Sequence, residues 1–288
     1  MKSKATLAVI GGSGLYQMSG LENTEEVTIN TPFGKPSAPI TIGTLEGIRV
    51  AFLARHGIGH HITPTEVPYR ANIYALKTLG VERVVSVSAC GSLREDYAPG
   101  HIVIPDNIFD YTKDRARSFF GEGLVAHISV ADPFCNDLSN QLEAAVKTTG
   151  AAMHRGGSFI TIEGPRFSTK AESKTYRAWG MSIIGMTASP EAFLAREAEL
   201  CYTTMAHVTD YDVWHESESP VTVEMVIQTL NKNTQIAQEA IRNLARGLNQ
   251  ERACSCGEAL STALITNPKV IPAETRSKLD LLVRKYLT

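Results

Sequence analysis

The segment RVVSVSACGS (residues 83–92) decides the fold. Arg83 to Ala89 is a Val-rich run, typical of a strand that is buried on both faces, and Cys90-Gly91-Ser92 ends it. The stretch 71–79 before this strand has apolar residues at helical spacing, and Gly80 is well placed to cap that helix at its C-terminus. A buried strand that follows a helix so closely is typical of an α/β protein.

The same alternation continues on both sides of this segment. Further strands are predicted at 7–10, 49–54, 102–104, 158–162, 182–186 and 202–208, and hairpin strands flank the loop 31–36. Further helices are predicted at 137–149, 169–179, 190–199 and 222–247. We therefore predict a mixed, largely parallel sheet flanked by helices, with 1–250 as one catalytic domain. Residues 251–288 are predicted to be a helical C-terminal extension of that domain.

Composition and charge exclude several classes of function. The chain has 288 residues, of which 43% are hydrophobic and 20% charged, and its net charge is −2. This balance gives no reason to expect nucleic acid or an anionic membrane as a partner. No apolar run approaches the roughly 20 residues of a membrane span. The N-terminus is typical of a first strand and its turn, so a cytoplasmic location is expected.

The five cysteines are Cys90, Cys135, Cys201, Cys254 and Cys256. In a reducing cytosol they are expected to be free thiols. The chain has no CxxC pair, and its histidines are not at zinc-finger spacing. We therefore predict no metal site, structural or catalytic.

Polar or glycine residues follow five of the predicted strands, where ligands of α/β sheets bind. Gly11-Gly12-Ser13-Gly14 is a turn whose N–H groups and Ser13 hydroxyl can approach an anion, although a plain structural turn has the same pattern. Arg55 offers a planar fork to two phosphate oxygens, and His56 a further donor. The alternative for Arg55 is an ion pair with a structural carboxylate. The groups predicted to surround one inorganic phosphate are Ser13, Arg55, His56, Ser88, Ala89 and Thr187.

Asp210 and Asp212 follow the strand 202–208. Residues two apart in an extended segment point to the same side, so both carboxylates can face one ligand. Two such charges raise the pKa of at least one carboxyl group, which keeps a proton available near neutral pH. One alternative is that the two aspartates form an Asx-turn or a helix cap. Another is that they bind a metal ion, but no histidine or third carboxylate is suitably spaced to complete such a site.

With these residues assembled, the chain resembles the purine nucleoside phosphorylase superfamily, and within it the branch that acts on 5′-methylthioadenosine. The resemblance runs in family order over about three quarters of the chain, and EGPRFS together with TDYD is highly specific. The matching segments are GGSGLY (11–16), TPFGKPS (31–37), LARHG (53–57), ACGSLRE (89–95), ADPFC (131–135), IEGPRFS (162–168), MTASPE (186–191) and TDYDVW (209–214).

The resemblance implies reversible phosphorolysis of S-methyl-5′-thioadenosine, in purine and methionine salvage, with phosphate as co-substrate and no cofactor. It implies that Met186 lies under the ribose and Phe167 stacks on the base. Ser168 and Asp212 would help to hold the purine, and Asp210, protonated, would donate to N7 as a general acid. Family members are trimers or hexamers built from trimers, and His127 is expected to enter the active site of a neighbour.

Two positions predict the specificity. Asp210 stands where 6-oxopurine enzymes carry Asn, and its carboxylate accepts from a 6-amino group. Val223 stands where relatives that bind a 5′-hydroxyl carry His, and Val226 lies one turn further on. The two valines are predicted to form an apolar pocket for the methylthio group, or else to be ordinary helix core. Adenosine stays open as a second substrate, because an apolar pocket rejects a hydroxyl only modestly.

Other interpretations remain at this point. The main alternative is a 6-oxopurine nucleoside phosphorylase, followed by a nicotinamide-dependent oxidoreductase and a non-catalytic purine-binding protein. The pair Cys254–Cys256 also resembles a CxC of thermophile members that can form a disulfide, and Cys135 and Cys201 would pair likewise. On that resemblance the chain is expected to come from a hot or redox-unusual setting.

Overall fold

The Val-rich run forms a ten-residue interior strand in a sheet that has eleven strands within the described residues. The computed structural model describes residues 4–12, 15, 17–18, 20–215, 222–249 and 251–287, with only the backbone at 225, 226 and 228–232. The strands are β1 Leu7–Gly11, β2 Glu22–Val27, β3 Ile40–Leu45, β4 Ile48–Ala54, β5 Arg83–Ser92, β6 Ile102–Ile104, β7 Asn107–Tyr111, β8 Met153–Arg155, β9 Ser158–Ile162, β10 Ile183–Gly185 and β11 Cys201–Asp210.

Six α-helices flank the sheet within the described residues. They are α1 Tyr69–Thr78, α2 Asn136–Lys147, α3 Lys170–Ala178, α4 Ala188–Glu197, α5 Val223–Gly247 and α6 Ala273–Val283. Two short 3₁₀ turns, Ser255–Glu258 and Pro268–Val270, lie in the C-terminal extension. The predicted fold class is confirmed, including the hairpin strands β2 and β3, which pair antiparallel. Strands β7 and β8 were not predicted, because one is half exposed and the other has three residues.

Strand β5 has three neighbouring strands, and this branching positions the site. On one edge it runs parallel to β11 over most of its length. On the other edge the ladder with β1 ends at Ser86, and the antiparallel ladder with β10 begins at Gly91. The segment 87–90 between these two ladders is therefore open on that edge. Residues 90–92, which we predicted to end the strand, continue it to Ser92.

Apolar side chains cover both faces of the sheet. One face packs against α1, α4 and α6 through residues such as Ile73, Leu194 and Leu282. The other packs against α2 and α5 through residues such as Leu142 and Ile241. Each fully buried side chain of this size contributes roughly 1.5–3 kcal/mol, so the two layers hold the strand ends rigidly.

The residues after 250 pack onto the rest of the chain. Helix α6 buries Leu279 and Val283 in the same core as α1. The backbone N–H of His127 donates to the carbonyl of Ala263 over 2.9 Å, which ties the extension to the loop before α2. None of the helices in the described part of the chain has the length and apolar character to cross a membrane.

Candidate active site

Arg55 follows β4 directly and lies at the carboxyl end of β1, beside the middle of β5. Its backbone N–H extends the β1–β4 ladder by donating to the carbonyl of Gly11 over 3.1 Å. Its side chain is only 3% exposed, and Nε and Nη2 donate to the two carboxylate oxygens of Glu191 over 2.8 and 2.9 Å. Nη2 also donates to Ser86 Oγ over 2.6 Å, and Nη1 to the carbonyl of Val87 over 3.2 Å.

This geometry corrects the predicted fork. The bidentate edge of Arg55 binds Glu191, the structural carboxylate of our alternative interpretation, so it does not bind two phosphate oxygens. Burial lowers the pKa of Arg55, but Glu191 more than reverses this and the pKa is raised overall. One N–H of Nη1 is left for a ligand, because the group has two hydrogens and one carbonyl partner.

His56 lies beside this ion pair. Its Nδ1 is 2.9 Å from the carbonyl of Ile62, so Nδ1 carries the hydrogen. Burial, and then the charge of Arg55, lower the pKa of His56 to about 4. The neutral ring presents Nε2 as an acceptor, so the predicted role of His56 as a donor requires a protonated ring. His60 stacks on it with 4.3 Å between ring centroids.

The other predicted phosphate residues lie near the open segment of β5. Ser88 and Ala89 are half-buried members of that segment. Thr187 is buried and follows β10, whose last residue, Gly185, is close enough that a Cβ there would lie 3.5 Å from the carbonyl oxygen of Ala89. Ser13 lies outside the described residues.

Asp210 ends β11 beside Gly91 of β5, where the ladder register shifts after Val208. Its side chain is 7% exposed; one oxygen accepts from Thr209 Oγ1 over 2.6 Å and the other from the N–H of Asp212 over 2.7 Å. Burial, with a smaller contribution from Asp212, raises the pKa of Asp210 to about 6. Gly91 makes this position possible, since a Cβ there would lie 2.9 Å from Asp210 Oδ1.

Asp212 does not continue the strand. Its φ is 52°, and the hydrogen bond from its N–H to Asp210 closes a turn of the Asx type, so the predicted extended arrangement of the two aspartates is wrong. Both carboxylates are nevertheless buried together. Burial raises the pKa of Asp212, and the hydroxyls of Ser168 and Ser173 lie close enough to oppose the rise.

Among the described residues, three buried polar atoms here lack a well-formed hydrogen bond, Asp212 Oδ2, Ser168 Oγ and Ser173 Oγ, although the two hydroxyls lie near the Asp212 carboxylate. Unpaired buried polar atoms are costly, and a bound molecule with complementary groups satisfies them. Phe167, next to Ser168, is 38% exposed, as an unstacked aromatic platform would be. These groups lie on the turn at Asp210–Asp212 and on the IEGPRFS loop (162–168). The two segments are more than 40 residues apart in the sequence.

Arg115 connects two of the loops, and sequence analysis did not single it out. Its side chain is 1% exposed. Its Nη1 donates to the carbonyls of Met186 and Ser189 over 2.7 Å, and its Nη2 to the carbonyl of Glu163 over 2.7 Å. Met186 is held from the other side by Gly164, where a Cβ would lie 2.6 Å from Met186 Sδ. A lone arginine in a polar stretch carries no signal of such a role.

The residues expected at the 5′ end are more open. Val223, at the start of α5, is 62% exposed, which contradicts the alternative that it is ordinary helix core. The side chain of Val226 lies outside the described residues. His127 is exposed on the loop that pairs with Ala263.

All five cysteines are free thiols, so neither expected disulfide is formed. Cys201 Sγ lies 3.3 Å from Cys254 Sγ, which is neither of the expected pairs.

The site thus combines groups suited to an anion with a buried acid and unsatisfied atoms suited to a polar base. A family model described as the phosphorylase superfamily matches residues 6–246. The S-methyl-5′-thioadenosine phosphorylase of Geobacter sulfurreducens is 54% identical over 98% of this chain and 99% of its own length. The chain belongs to the phosphorylase superfamily, and within it to the S-methyl-5′-thioadenosine phosphorylase family.

Solved structures agree with this assignment. The crystal structure of a methylthioadenosine phosphorylase from an antarctic soil metagenomic library superposes with a TM-score of 0.93, at 49% identity over 98% of this chain and 99% of that chain. A mutant adenosine/methylthioadenosine phosphorylase of Schistosoma mansoni, solved in complex with methylthioadenosine, has a TM-score of 0.82 at 35% identity over 90% and 96% of the two chains.

Proposed function

We propose that the chain catalyses the reversible phosphorolysis of S-methyl-5′-thioadenosine to adenine and S-methyl-5-thio-α-D-ribose 1-phosphate. The observation that carries the proposal is Asp210, a buried carboxyl group with a pKa raised to about 6, at a strand end near three buried polar atoms that lack a well-formed hydrogen bond. The relatives at about 50% identity over nearly the whole chain support the same reaction. The reaction needs phosphate as co-substrate and no cofactor, and it fits a place in purine and methionine salvage.

Phosphate is proposed to lie at the open segment of β5. Ser88, Ala89 and Thr187 border this space, and Arg55 Nη1 contacts the carbonyl of Val87, the first residue of the segment. Neutral His56 accepts through Nε2 from the protonated oxygen of HPO₄²⁻, because its Nδ1 hydrogen is used by Ile62. Ser13 completes the proposed set. Attack by a phosphate oxygen on C1′ forms the new bond as the bond between C1′ and N9 breaks.

Asp210 is proposed to neutralise the departing base. Its carboxylic acid donates its proton to N7 as negative charge develops on adenine, and its other oxygen accepts from the 6-amino group. General acid catalysis of this kind contributes ~10²–10⁴-fold. Asp212 Oδ2 and Ser168 Oγ, two of the buried atoms that lack a well-formed hydrogen bond, bind further polar edges of the purine, and Phe167 stacks on its face. Met186, fixed by Arg115, lies under the ribose.

The 5′-methylthio group is proposed to lie against Val223 and Val226, with His127 of a neighbouring subunit closing this end. The exposure of Val223 is what an unfilled apolar subsite requires. Because such a pocket rejects a hydroxyl only modestly, adenosine is a slower substrate of the same site.

A homo-oligomer, a trimer or a hexamer of trimers, is part of the proposal. Strand β7 is the last strand on its side of the main sheet order and exposes Phe109 and Tyr111. Trp179, 49% exposed, packs 5.8 and 6.1 Å from these rings between centroids. An exposed aromatic patch on a sheet edge is typical of an interface, here with a second copy of the chain. A cytoplasmic location stays a prediction.

A substrate panel tests the reaction. Methylthioadenosine, adenosine and inosine are assayed with and without phosphate, and release of the free base is followed. We expect phosphate-dependent release of adenine, fastest from methylthioadenosine, and little turnover of inosine. A wide preference for inosine would favour the 6-oxopurine alternative, and release without phosphate would remove the proposed phosphate site.

A further inference from the structure

Four of the five cysteines converge at the end of β11 opposite to Asp210. Cys201 is the first residue of this ten-residue strand and Asp210 the last, so the two ends lie about 30 Å apart at 3.3 Å per residue. Cys135 immediately precedes α2, and Cys254 and Cys256 come from the C-terminal extension. The cluster is therefore separate from the candidate active site.

The four sulfur atoms form a compact cage. All of them lie within 4.8 Å of one another, and Cys201 Sγ is 3.3 Å from Cys254 Sγ. A tetrahedral zinc tetrathiolate with bonds of about 2.3 Å has sulfur atoms about 3.8 Å apart. The cage thus has the size of such a site, and three of its cysteines are buried while Cys254 is half-buried and open to an entering ion.

Local backbone geometry explains why four cysteines without a CxxC pair meet. Cys254 is extended, with φ −130° and ψ 161°, and Cys256 lies in the 3₁₀ turn Ser255–Glu258 that follows it directly. Cys135 is the N-cap of α2 and its sulfur accepts from the N–H of Leu138 over 3.5 Å. A helix N-terminus and a backbone donor both stabilise a thiolate at this position.

Cationic groups surround the cage. Arg196 Nη1 donates to Cys256 Sγ over 3.4 Å, and Arg252 lies close enough to Cys201 and Cys254 to interact with their charge. A zinc ion with four thiolates carries a charge of −2, which two guanidinium groups balance.

We propose that Cys135, Cys201, Cys254 and Cys256 bind one Zn²⁺ as a structural tetrathiolate site. Zn²⁺ is the fitting ion because it prefers thiolate ligands, takes tetrahedral geometry and leaves no open position when four cysteines bind it. The site fastens the C-terminal extension to the start of β11 and α2. Our expectation of no zinc site relied on spacing along the chain, which does not detect ligands from three separate segments.

The extension in turn supports the loop of His127 through Ala263. Removal of the ion is therefore expected to loosen the extension and lower the melting temperature of the protein. A stability change of this kind does not depend on the substrate proposed above, so failure of one proposal leaves the other intact.

The test is the metal content of the full chain, expressed with zinc and purified under reductant without oxygen. We expect about one zinc per chain by mass spectrometry of the elements, and exchange for Co²⁺ should produce the intense visible bands of tetrahedral cobalt thiolate. A chelator together with a thiol-blocking mercurial should release the zinc in step with four thiols.

Two variants sharpen the experiment. Cys256→Ser should reduce bound zinc to below about a tenth of an ion per chain, while Cys90→Ser, which changes the one cysteine outside the cage, should keep it. The measurement on the unchanged protein does not depend on whether either variant folds. Less than about a tenth of an ion in the unchanged protein, with four reactive thiols or with two disulfides in its intact mass, would overturn the proposal.

Discussion

At the scale of single residues, the proposed chemistry depends on one buried carboxyl group, that of Asp210. Asp210 accepts two hydrogen bonds, both of which favour its ionised form, and yet burial raises its pKa to about 6. At pH 7 about a tenth of the free enzyme then holds the proton. Binding of a purine removes more water and favours the protonated form further.

Asp210→Asn should lower turnover of methylthioadenosine about 100-fold or more while leaving its binding nearly unchanged, because the amide cannot transfer a proton to N7. In the unchanged enzyme, kcat/KM should fall as pH rises above about 6, where Asp210 loses its proton. The variant should lack this decline. Steady-state kinetics from pH 5 to 9 measures both.

Asp280→Asn, which changes an exposed aspartate on α6, is the matched control and should behave as the unchanged enzyme. Equal turnover of Asp210→Asn and the control would remove Asp210 as the acid.

The Asp210→Asn substitution should also stabilise the protein at high pH. The folded state raises the pKa of Asp210 from 3.8 to about 6, so the folded chain binds the proton more tightly than the unfolded chain. The stabilisation from this tighter proton binding is fully present below pH 3.8 and is lost as pH rises through about 6. The free energy of unfolding falls by up to about 3 kcal/mol over this range. Urea unfolding should show Asp210→Asn more stable than the unchanged protein at pH 8, with a smaller gap at pH 5. An equal difference in stability at the two pH values would show that the raised pKa of Asp210 is not its cause.

The ion pair of Arg55 and Glu191 makes a separate prediction. Glu191→Gln leaves a buried guanidinium without its counter-charge, which should destabilise the fold by about 3–5 kcal/mol. Because the pair orients Nη1, the KM for phosphate should rise about 10-fold or more, and the KM for methylthioadenosine should change less.

Glu197→Gln is the control, since Glu197 is buried on the same helix but accepts from Ser118 and Phe119 instead. An unchanged phosphate KM in Glu191→Gln would mean that Arg55 has only a structural role.

At the scale of secondary structure elements, the branching of β5 creates the site. On one edge of β5, the ladder with β1 ends at Ser86 and the ladder with β10 begins at Gly91, which leaves a space between β1 and β10. On the other edge, β11 pairs Asp210 with Gly91 at the end of this space. Gly91 lies at the end of this space, where β5 is paired with both β10 and β11. Its Cα is paired with Asp210, so the two backbones cannot separate without breaking the ladder.

Gly91→Ala should therefore displace the carboxyl group of Asp210, the proposed acid. The added Cβ would lie 2.9 Å from Asp210 Oδ1 and 3.0 Å from Ile184 Cγ2. We expect kcat to fall about 10-fold to 100-fold, with a stability loss of about 1–3 kcal/mol from overpacking. Kinetics and urea unfolding measure the two effects. Gly247→Ala meets no atom within 4 Å and should change neither; an unaffected kcat in Gly91→Ala would show that Asp210 tolerates displacement.

Much of this arrangement could be predicted from sequence, because apolar strands followed by polar residues place those residues at one edge of the sheet. The features that the sequence did not predict also have physical explanations. The partner of Arg55 is 136 residues away, and no local pattern selects Glu191 among the carboxylates. The turn at Asp212 depends on a hydrogen bond to Asp210, which periodicity does not reveal. Arg115 acts through backbone carbonyls, which every sequence contains.

At the scale of the whole molecule, the proposed active site is unfinished in one chain. The 5′ end is open at Val223, and His127 is exposed on a loop that the C-terminal extension holds in place. The aromatic patch of Phe109, Tyr111 and Trp179 gives a second copy a surface on which to pack. Light scattering should report a trimer or a multiple of it, and a monomer at working concentrations would contradict the shared site.

Subunit complementation tests whether His127 acts in a neighbour. A chain with His127→Ala keeps Asp210, and a chain with Asp210→Asn keeps His127, so each is expected to be poorly active alone. In a mixed ring of three, one interface joins the intact Asp210 of one chain to the intact His127 of the next, which predicts about a third of the unchanged activity. The two chains are co-expressed with different tags, and oligomers that carry both tags are assayed for adenine release. Activity no greater than the average of the two parents would mean that His127 serves its own chain or none, whereas recovery towards a third requires that the active site is built from two subunits.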